Sequence, residues 1–310
     1  MQPIPKTKGF IAAPFTPFDQ DHNLDLSKIP AYVEWLTSED VSGAFVCGTT
    51  GEGPSLTTEE RIRVAEAWMN AASNGLRIIV HVGHNSLTEA QLLAEHAESI
   101  QAGAIGCMPP QFFAPRNVDE VADCCAEVAA AAPNTPFYYY HMPSMSGVSV
   151  NVADLLPILE NRIPTFVGVK FTYEDIDDYR NCRQYESGRY DILFGRDEKL
   201  LTAIEAGCTG AVGSTYNFAA PIYFKIFDAY QQGDMESARI LQETATAMID
   251  TCISGSWHPI AGFKSIMQLV GLDCGPVRLP LPPIKESEKN QLEYLLKDLL
   301  ESDLIHHFNR

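Results

Sequence analysis

The chain has 310 residues, 45% of them hydrophobic and 20% charged, enough apolar material for one large core or two modest ones. Its formal charge of −18 argues against nucleic acid or an anionic membrane surface as a partner, since both call for the opposite sign. No apolar run nears the roughly 20 residues that span a bilayer, the start MQPIPKTKGFIAAPF has no apolar signal core, and eight cysteines are scattered without a CxxC pair, so free thiols in the cytosol are expected.

In chain order, GFIAAPF near residue 10 reads as a first strand and GAFVCG at 43–48 as a second. TTEERIRVAEAWMNAAS, 57–73, reads as a helix with Thr57 or Thr58 as N-cap and acids in its first turn. RIIVHVG at 77–83 is a third strand, followed by a helix over SLTEAQLLAEHAESIQAG, 86–103, with Gly103 as the residue after its C-terminus. AIGCMPP at 104–110 is a strand and NVDEVADCCAEVAAAA at 117–132 a helix. Four strands follow, PFYYYHMP at 136–143, TFVGVKFT at 165–172, YDILFG at 190–195 and GAVGSTY at 210–216, with a helix over DEKLLTAIEAG between the last two. PIYFKIFDAYQQG adds a helix that stops at Gly233, and three more are expected over 234–254, 258–271 and 288–302. Strand–helix alternation repeated eight times predicts a parallel sheet, and the count favours a (β/α)8 TIM barrel, with a doubly wound open sheet as the alternative. The domain division is then a catalytic barrel over 1–233 and a C-terminal three-helix extension over 234–310.

In a barrel of this kind, chemistry gathers at the C-terminal ends of the strands. With a side-chain period of two, Phe166, Gly168, Lys170 and Thr172 share one face of the sixth strand, and Val167, Val169 and Phe171 the other. The apolar trio suits the helix-facing side, which aims Lys170 into the barrel mouth. A buried amine there is either a nucleophile for carbonyl carbons or one half of an ion pair, and the pattern leaves both open. On the fifth strand Tyr138 and Tyr140 share a face; Tyr140, the last of three consecutive tyrosines, is the one placed to relay a proton, although core packing is the blander reading.

The turn CGTTGEG after the second strand has glycines at 48, 51 and 53, which would let backbone approach a ligand, and donors on Thr49 and Thr50. Such a turn suits a carboxylate or phosphate, because backbone amides bind anions without net charge. That would offset locally the unfavourable field of an acidic chain, although a generic tight loop has the same composition. FGRDE offers Asp197 and Glu198 after the seventh strand, either as ligand acceptors or as acids at a helix start. GSTYN offers Ser214 at the eighth. His81 and His84 lie three apart on a strand and point to opposite faces, so no metal site is expected.

Taken together, GTTGEG, YYYHMPSMSG, GVKFT, FGRDE and GSTYN, in that order along essentially the whole chain, resemble the class I pyruvate aldolase family that contains N-acetylneuraminate lyase and dihydrodipicolinate synthase. YYYH, IPTF–G–KF and PVRLPL are most similar to its animal-type lyase branch. The resemblance implies that Lys170 forms a Schiff base with a C2 carbonyl and that Tyr140 shuttles the proton of the C4 hydroxyl. It implies that Gly48, Thr49 and Thr50 hold the pyruvyl carboxylate, and that Thr172, Gly195, Asp197, Glu198 and Ser214 line the sugar chain. Fold, cytoplasmic location, homotetrameric assembly and independence from cofactors are expected on the same ground, with sialic acid, pyruvate and N-acetylmannosamine as the small molecules bound.

Two departures bear on the branch. The synthase branch has an arginine where this chain has Met145, and a tyrosine lent across a subunit interface where this chain has Phe113. Neither residue here can replace those functions. A different pyruvate-dependent aldolase, acting on another 2-oxo acid, is the alternative. His141 stands where many relatives have asparagine, and the sequence assigns it no role.

Overall fold

The computed structural model describes residues 6–72 and 75–305. Residue 73, at the end of a predicted helix, lies outside them, as do the outermost residues of the two predicted domains. In chain order the elements are β1 (Gly9–Ala12), α1 (Ile29–Ser38), β2 (Gly43–Val46), α2 (Thr58–Ala71), β3 (Arg77–His81), α3 (Leu87–Ser99), β4 (Ala104–Cys107) and α4 (Val118–Ala130). Then come β5 (Phe137–His141), α5 (Pro143–Ser146), α6 (Val152–Arg162), β6 (Phe166–Phe171), α7 (Ile176–Gln184), β7 (Asp191–Phe194), α8 (Leu200–Glu205), β8 (Gly210–Gly213) and α9 (Ala220–Gln231). The chain continues through α10 (Met235–Ile253), α11 (Pro259–Leu269) and α12 (Glu286–Leu300).

All eight strands pair in parallel with their sequence neighbours, and β8 returns to β1, so the sheet is a closed barrel rather than an open doubly wound sheet. The strands are short and nearly all buried, as expected where side chains fill the barrel on one face and meet helices on the other. Ile11, Phe45, Ile79, Tyr138, Leu193 and Val212 belong to the inner cluster, separate from the shell between strands and helices. Deep inside, the Tyr138 hydroxyl donates to Asp191 at 2.9 Å and accepts from Arg77 at 3.1 Å, so this tyrosine belongs to the barrel core.

The helix starts follow local chemistry. Thr57, not Thr58, caps α2, in a reciprocal box with Glu60, while Ser86 caps α3 and Asn117 caps α4. Two expectations are corrected. The left-handed residue after α3 is Gln101, at φ 58°, and not Gly103. Gly103 is a glycine for another reason: a Cβ there would lie 3.0 Å from the Ile78 carbonyl and from Arg77 of the neighbouring strand.

The second correction concerns β6. The pairing of β5 with β6 shifts by one residue between Phe137 and Tyr138, so Phe137 lies opposite Phe166 and Tyr138 opposite Gly168. This irregularity reverses the alternation at the strand's start. Phe166 therefore lies in the outer shell, where it packs on Tyr190 at 4.9 Å, and Val167 packs on the inner cluster. Past it, Val169 and Phe171 face outward as expected, leaving Lys170 to face inward.

α10 lies along α9 and against the turn that follows β7, and α11 reaches the C-terminal rim of the barrel. α12 buries Leu292, Leu296 and Leu300 on one side only. No helix among the described residues is long and apolar enough to cross a membrane.

Candidate active site

A cavity of about 300 Å³ opens at the C-terminal ends of the strands, and Lys170, Tyr140, Thr49, Thr50, Thr172, Gly195, Asp197, Glu198 and Ser214 all line it. Gly48 is the one predicted residue that does not. A Cβ at Gly48 would lie 3.0 Å from the Phe45 ring, and one at Gly53 only 2.1 Å from the Cys47 carbonyl. These glycines let the loop fold on itself and on Phe45. The loop also holds two non-glycine residues in the left-handed region, Cys47 at φ 57° and Glu52 at φ 55°. Each costs on the order of 1 kcal/mol, so the surroundings must fix the loop's shape.

Lys170 is 4% exposed, and its Nζ stands over two aromatic faces, Phe45 at 4.2 Å and Tyr140 at 4.3 Å from the ring centroids. Among the described residues no carboxylate lies within ion-pair distance of it. No close ion pair therefore holds this lysine: the amine rests on two π faces, and the Asp197 carboxylate acts on it only from beyond ion-pair distance. Tyr140 is the neighbour of Lys170 across the β5–β6 pairing. Its hydroxyl is 3.3 Å from Thr49 Oγ1 and 3.1 Å from Met142 Sδ. Thr50 Oγ1 and Ser214 Oγ share a hydrogen bond of 2.6 Å. The main-chain N–H groups of Thr49 and Thr50 have no acceptor among the described residues, which leaves two neutral donors at the rim.

Asp197 is not a helix cap. Its Oδ2 accepts both the N–H of Thr215, at 2.9 Å, and its hydroxyl, at 2.6 Å, while Oδ1 is buried without a partner among the described residues. Burial lifts the Asp197 carboxyl to about 6, against the pull of the Thr215 bonds. The site is built around this carboxylate: a Cβ on Gly213 would lie 1.8 Å from Oδ1, and one on Gly195 would lie 2.0 Å from Thr172 Oγ1, itself without a partner among the described residues. Glu198 accepts from Arg196 Nε at 2.8 Å, and Arg196 is also bound by Glu174 at 2.6 Å.

Three features escaped the sequence reading. The first is the far wall of the cavity, made by Ile249 and Ile253 of α10 and by His258, Pro259, Ile260 and Phe263 at the start of α11. The signal was HPIAGF, a polar cap, a proline at the first helical position and an apolar face, in a segment whose approach to the barrel rim no local pattern announces. The second is a buried ion pair of 2.8 Å between Lys264 of α11 and Glu52 of the threonine loop. Glu52 Oε2 also accepts the N–H of Arg278 at 2.8 Å. The third is the setting of His141, a residue the sequence singled out without a role: it lies behind the barrel wall, its Nδ1 is 3.2 Å from the Tyr139 hydroxyl, and burial lowers the ring to about 4. Met145 lies at the cavity rim, half exposed.

His81 ends β3, buried against Phe45 and Tyr140, and His84 lies past the strand and accepts from the N–H of Ser86; both border one small cavity rather than facing opposite ways along a strand. Among the described residues no group of three His, Cys, Asp or Glu side chains could hold a metal ion.

Comparison with known proteins agrees with this geometry. The dihydrodipicolinate synthetase family model matches residues 6–299. N-acetylneuraminate lyase of Mus musculus is 41% identical over 301 residues, covering 96% of this chain and 94% of that protein. The structure of Proteus mirabilis N-acetylneuraminate lyase superposes with a TM-score of 0.92 at 37% identity, over 95% of this chain and 99% of that one. The sialic acid aldolase from Aliivibrio salmonicida gives 0.93 at 36% identity, over 98% and 100%. The chain belongs to the dihydrodipicolinate synthetase family.

Proposed function

We propose that the chain is an N-acetylneuraminate lyase, cleaving the open-chain sugar acid to N-acetylmannosamine and pyruvate through a Schiff base on Lys170. The observation that carries the reading is a buried lysine without a carboxylate partner, beside a tyrosine hydroxyl and two free main-chain donors, in a cavity bounded by Asp197 and Glu198. Attack of the Lys170 amine on C2 and loss of water give an iminium. Tyr140, having given its phenolic proton to the departing water, then takes the C4 hydroxyl proton, the C3–C4 electron pair flows to the iminium nitrogen, and the aldehyde leaves. The resulting enamine takes a proton at C3, and water releases pyruvate and the amine. Thr49 and Thr50 hold the carboxylate; Thr172, Gly195, Asp197, Glu198 and Ser214 line the polyol.

Met145 at the rim favours this branch over the synthase, since a thioether cannot pair with a second anionic substrate. A pyruvate aldolase for another 2-oxo acid would share the lysine and tyrosine and differ at the polyol side. Residues 1–233 act in this reading as the catalytic barrel and 234–310 as an extension that completes the cavity. The family resemblance supports a cytosolic homotetramer, and the aromatic pair Phe112 and Phe113, 82% and 87% exposed in the single chain, is apolar surface that an assembly would cover. Sedimentation analysis tests the assembly. Incubation with pyruvate and borohydride, followed by peptide mapping, tests the chemistry: the adduct belongs on Lys170, and an unmodified Lys170 refutes the reading. Release of N-acetylmannosamine from N-acetylneuraminate tests the substrate.

A further inference from the structure

The cavity has two chemically different sides. The barrel side carries carboxylates and hydroxyls, which suit a polyol. The α10–α11 side is apolar, with Ile253, Ile260 and Phe263 prominent, and its polar side chain is His258. His258 is the N-cap of α11, its Nδ1 accepting the N–H of Ile260 at 3.3 Å. A neutral imidazole whose Nδ1 accepts must carry its proton on Nε2. Burial disfavours the protonated ring, in keeping with that neutral tautomer. The Nε2–H group has no acceptor among the described residues. The helix start therefore fixes a single outward donor on an otherwise apolar wall.

Of the groups on the proposed substrate, the acylamino substituent fits that wall. Its carbonyl oxygen accepts and cannot donate, so it gains nothing from Asp197 or Glu198, and its methyl needs apolar contact. Arg196, the other strong donor at this end, is already engaged by Glu174 and Glu198. We infer that His258 is a specificity residue whose Nε2–H binds the N-acyl carbonyl, with Ile253 and Ile260 packing on the acyl methyl. The inference rests on the lyase reading and names the subsite that would separate N-acylated from plain sugars.

Two substitutions dissect the imidazole. His258→Asn keeps an acceptor close to the Nδ1 position, hence the helix cap, and removes the reach of Nε2; His258→Gln places an amide N–H close to Nε2. The assay is condensation of pyruvate with either N-acetylmannosamine or mannose, and the quantity read is the ratio of kcat/KM values. His258→Asn should lower kcat/KM for N-acetylmannosamine about tenfold, as expected for one lost hydrogen bond to a desolvated acceptor, and leave mannose unchanged. His258→Gln should recover most of the loss. Equal effects on both aldehydes, or no effect on either, would overturn the inference while leaving the lyase reading intact. A wild-type protein that condenses pyruvate with neither aldehyde would refute the lyase reading and this inference with it.

Discussion

The buried pair of Lys264 and Glu52 gives the sharpest test of how the extension supports the site. Lys264 is 3% exposed by side chain and Glu52 0%, with Nζ and Oε1 2.8 Å apart. At an effective dielectric near 20 the attraction at that distance is about 6 kcal/mol. Desolvating two ions costs several kcal/mol each, so the intact pair adds little net stability. Burial indeed holds Lys264 below its ordinary value, with the Glu52 charge pulling the other way. Removing one partner is a different matter. Lys264→Met would leave the Glu52 carboxylate in a dry site with the Arg278 N–H as its remaining donor, and should cost about 3–5 kcal/mol. Adding Glu52→Gln removes the stranded charge and should restore most of that loss. Urea unfolding of the three variants reads the cost directly from midpoint and slope. A loss below about 1 kcal/mol in Lys264→Met, or a double variant as unstable as the sum of its singles, would refute the reasoning.

The other predictions concern the cavity. Tyr140→Phe should lower turnover by about 10²–10⁴, the range of a lost proton relay, while pyruvate is still trapped on Lys170 by borohydride; a loss of trapping equal to the loss of turnover would assign the hydroxyl elsewhere. Gly213→Ala places a methyl 1.8 Å from Asp197 Oδ1, so the carboxylate must leave Thr215; a cost of about 1–3 kcal/mol in urea and a raised KM are expected, and a neutral variant would contradict this geometry. Asp197 has its folded value lifted from 3.8 to about 6, so the folded chain binds that proton more tightly than the unfolded chain. Ionised Asp197 then costs stability above pH 6, and the cost fades as pH falls from 6 towards 4. Relative to Asp197→Asn, the wild type should gain stability across that window, and a constant offset would show that Asp197 titrates normally.

Much of the fold was legible because each barrel unit is local: a short buried strand and an amphipathic helix, with a Thr, Ser, Asn or Asp cap on α2, α3, α4, α6 and α7. The orientation of Lys170 was legible for the same reason, since the alternation from Gly168 onward is regular. Phe166 and Val167 were misassigned because the shift that reverses them belongs to the pairing with β5, and one strand's sequence carries no trace of its neighbour's register. That Gly48 and Gly53 also make room for the Phe45 ring and the Cys47 carbonyl was not legible, because those contacts exist only after folding. The ion pair between positions 52 and 264 joins segments about two hundred residues apart, and the cavity wall at 249–263 meets residues from 49 to 215. No periodicity spans that interval. The lysine question itself divided: of two buried lysines, Lys264 sits in an ion pair and Lys170 does not.

The charge puzzle of an acidic chain with an anionic substrate resolves along the same lines. Arg196 is neutralised by Glu174 and Glu198, so it contributes no free positive charge, and Asp197 adds negative charge when ionised. In the proposed reading the carboxylate end relies on groups without net charge, the N–H donors of Thr49 and Thr50, together with Lys170. In the proposed reaction the lysine is bonded to C2, directly beside the carboxylate carbon, and the iminium carries its positive charge there. The counterion of the substrate is thus the reaction's own intermediate, present only once the correct carbonyl compound has condensed. A permanent arginine would bind any small carboxylate; an imine-forming lysine ties strong anion binding to the presence of a 2-oxo group.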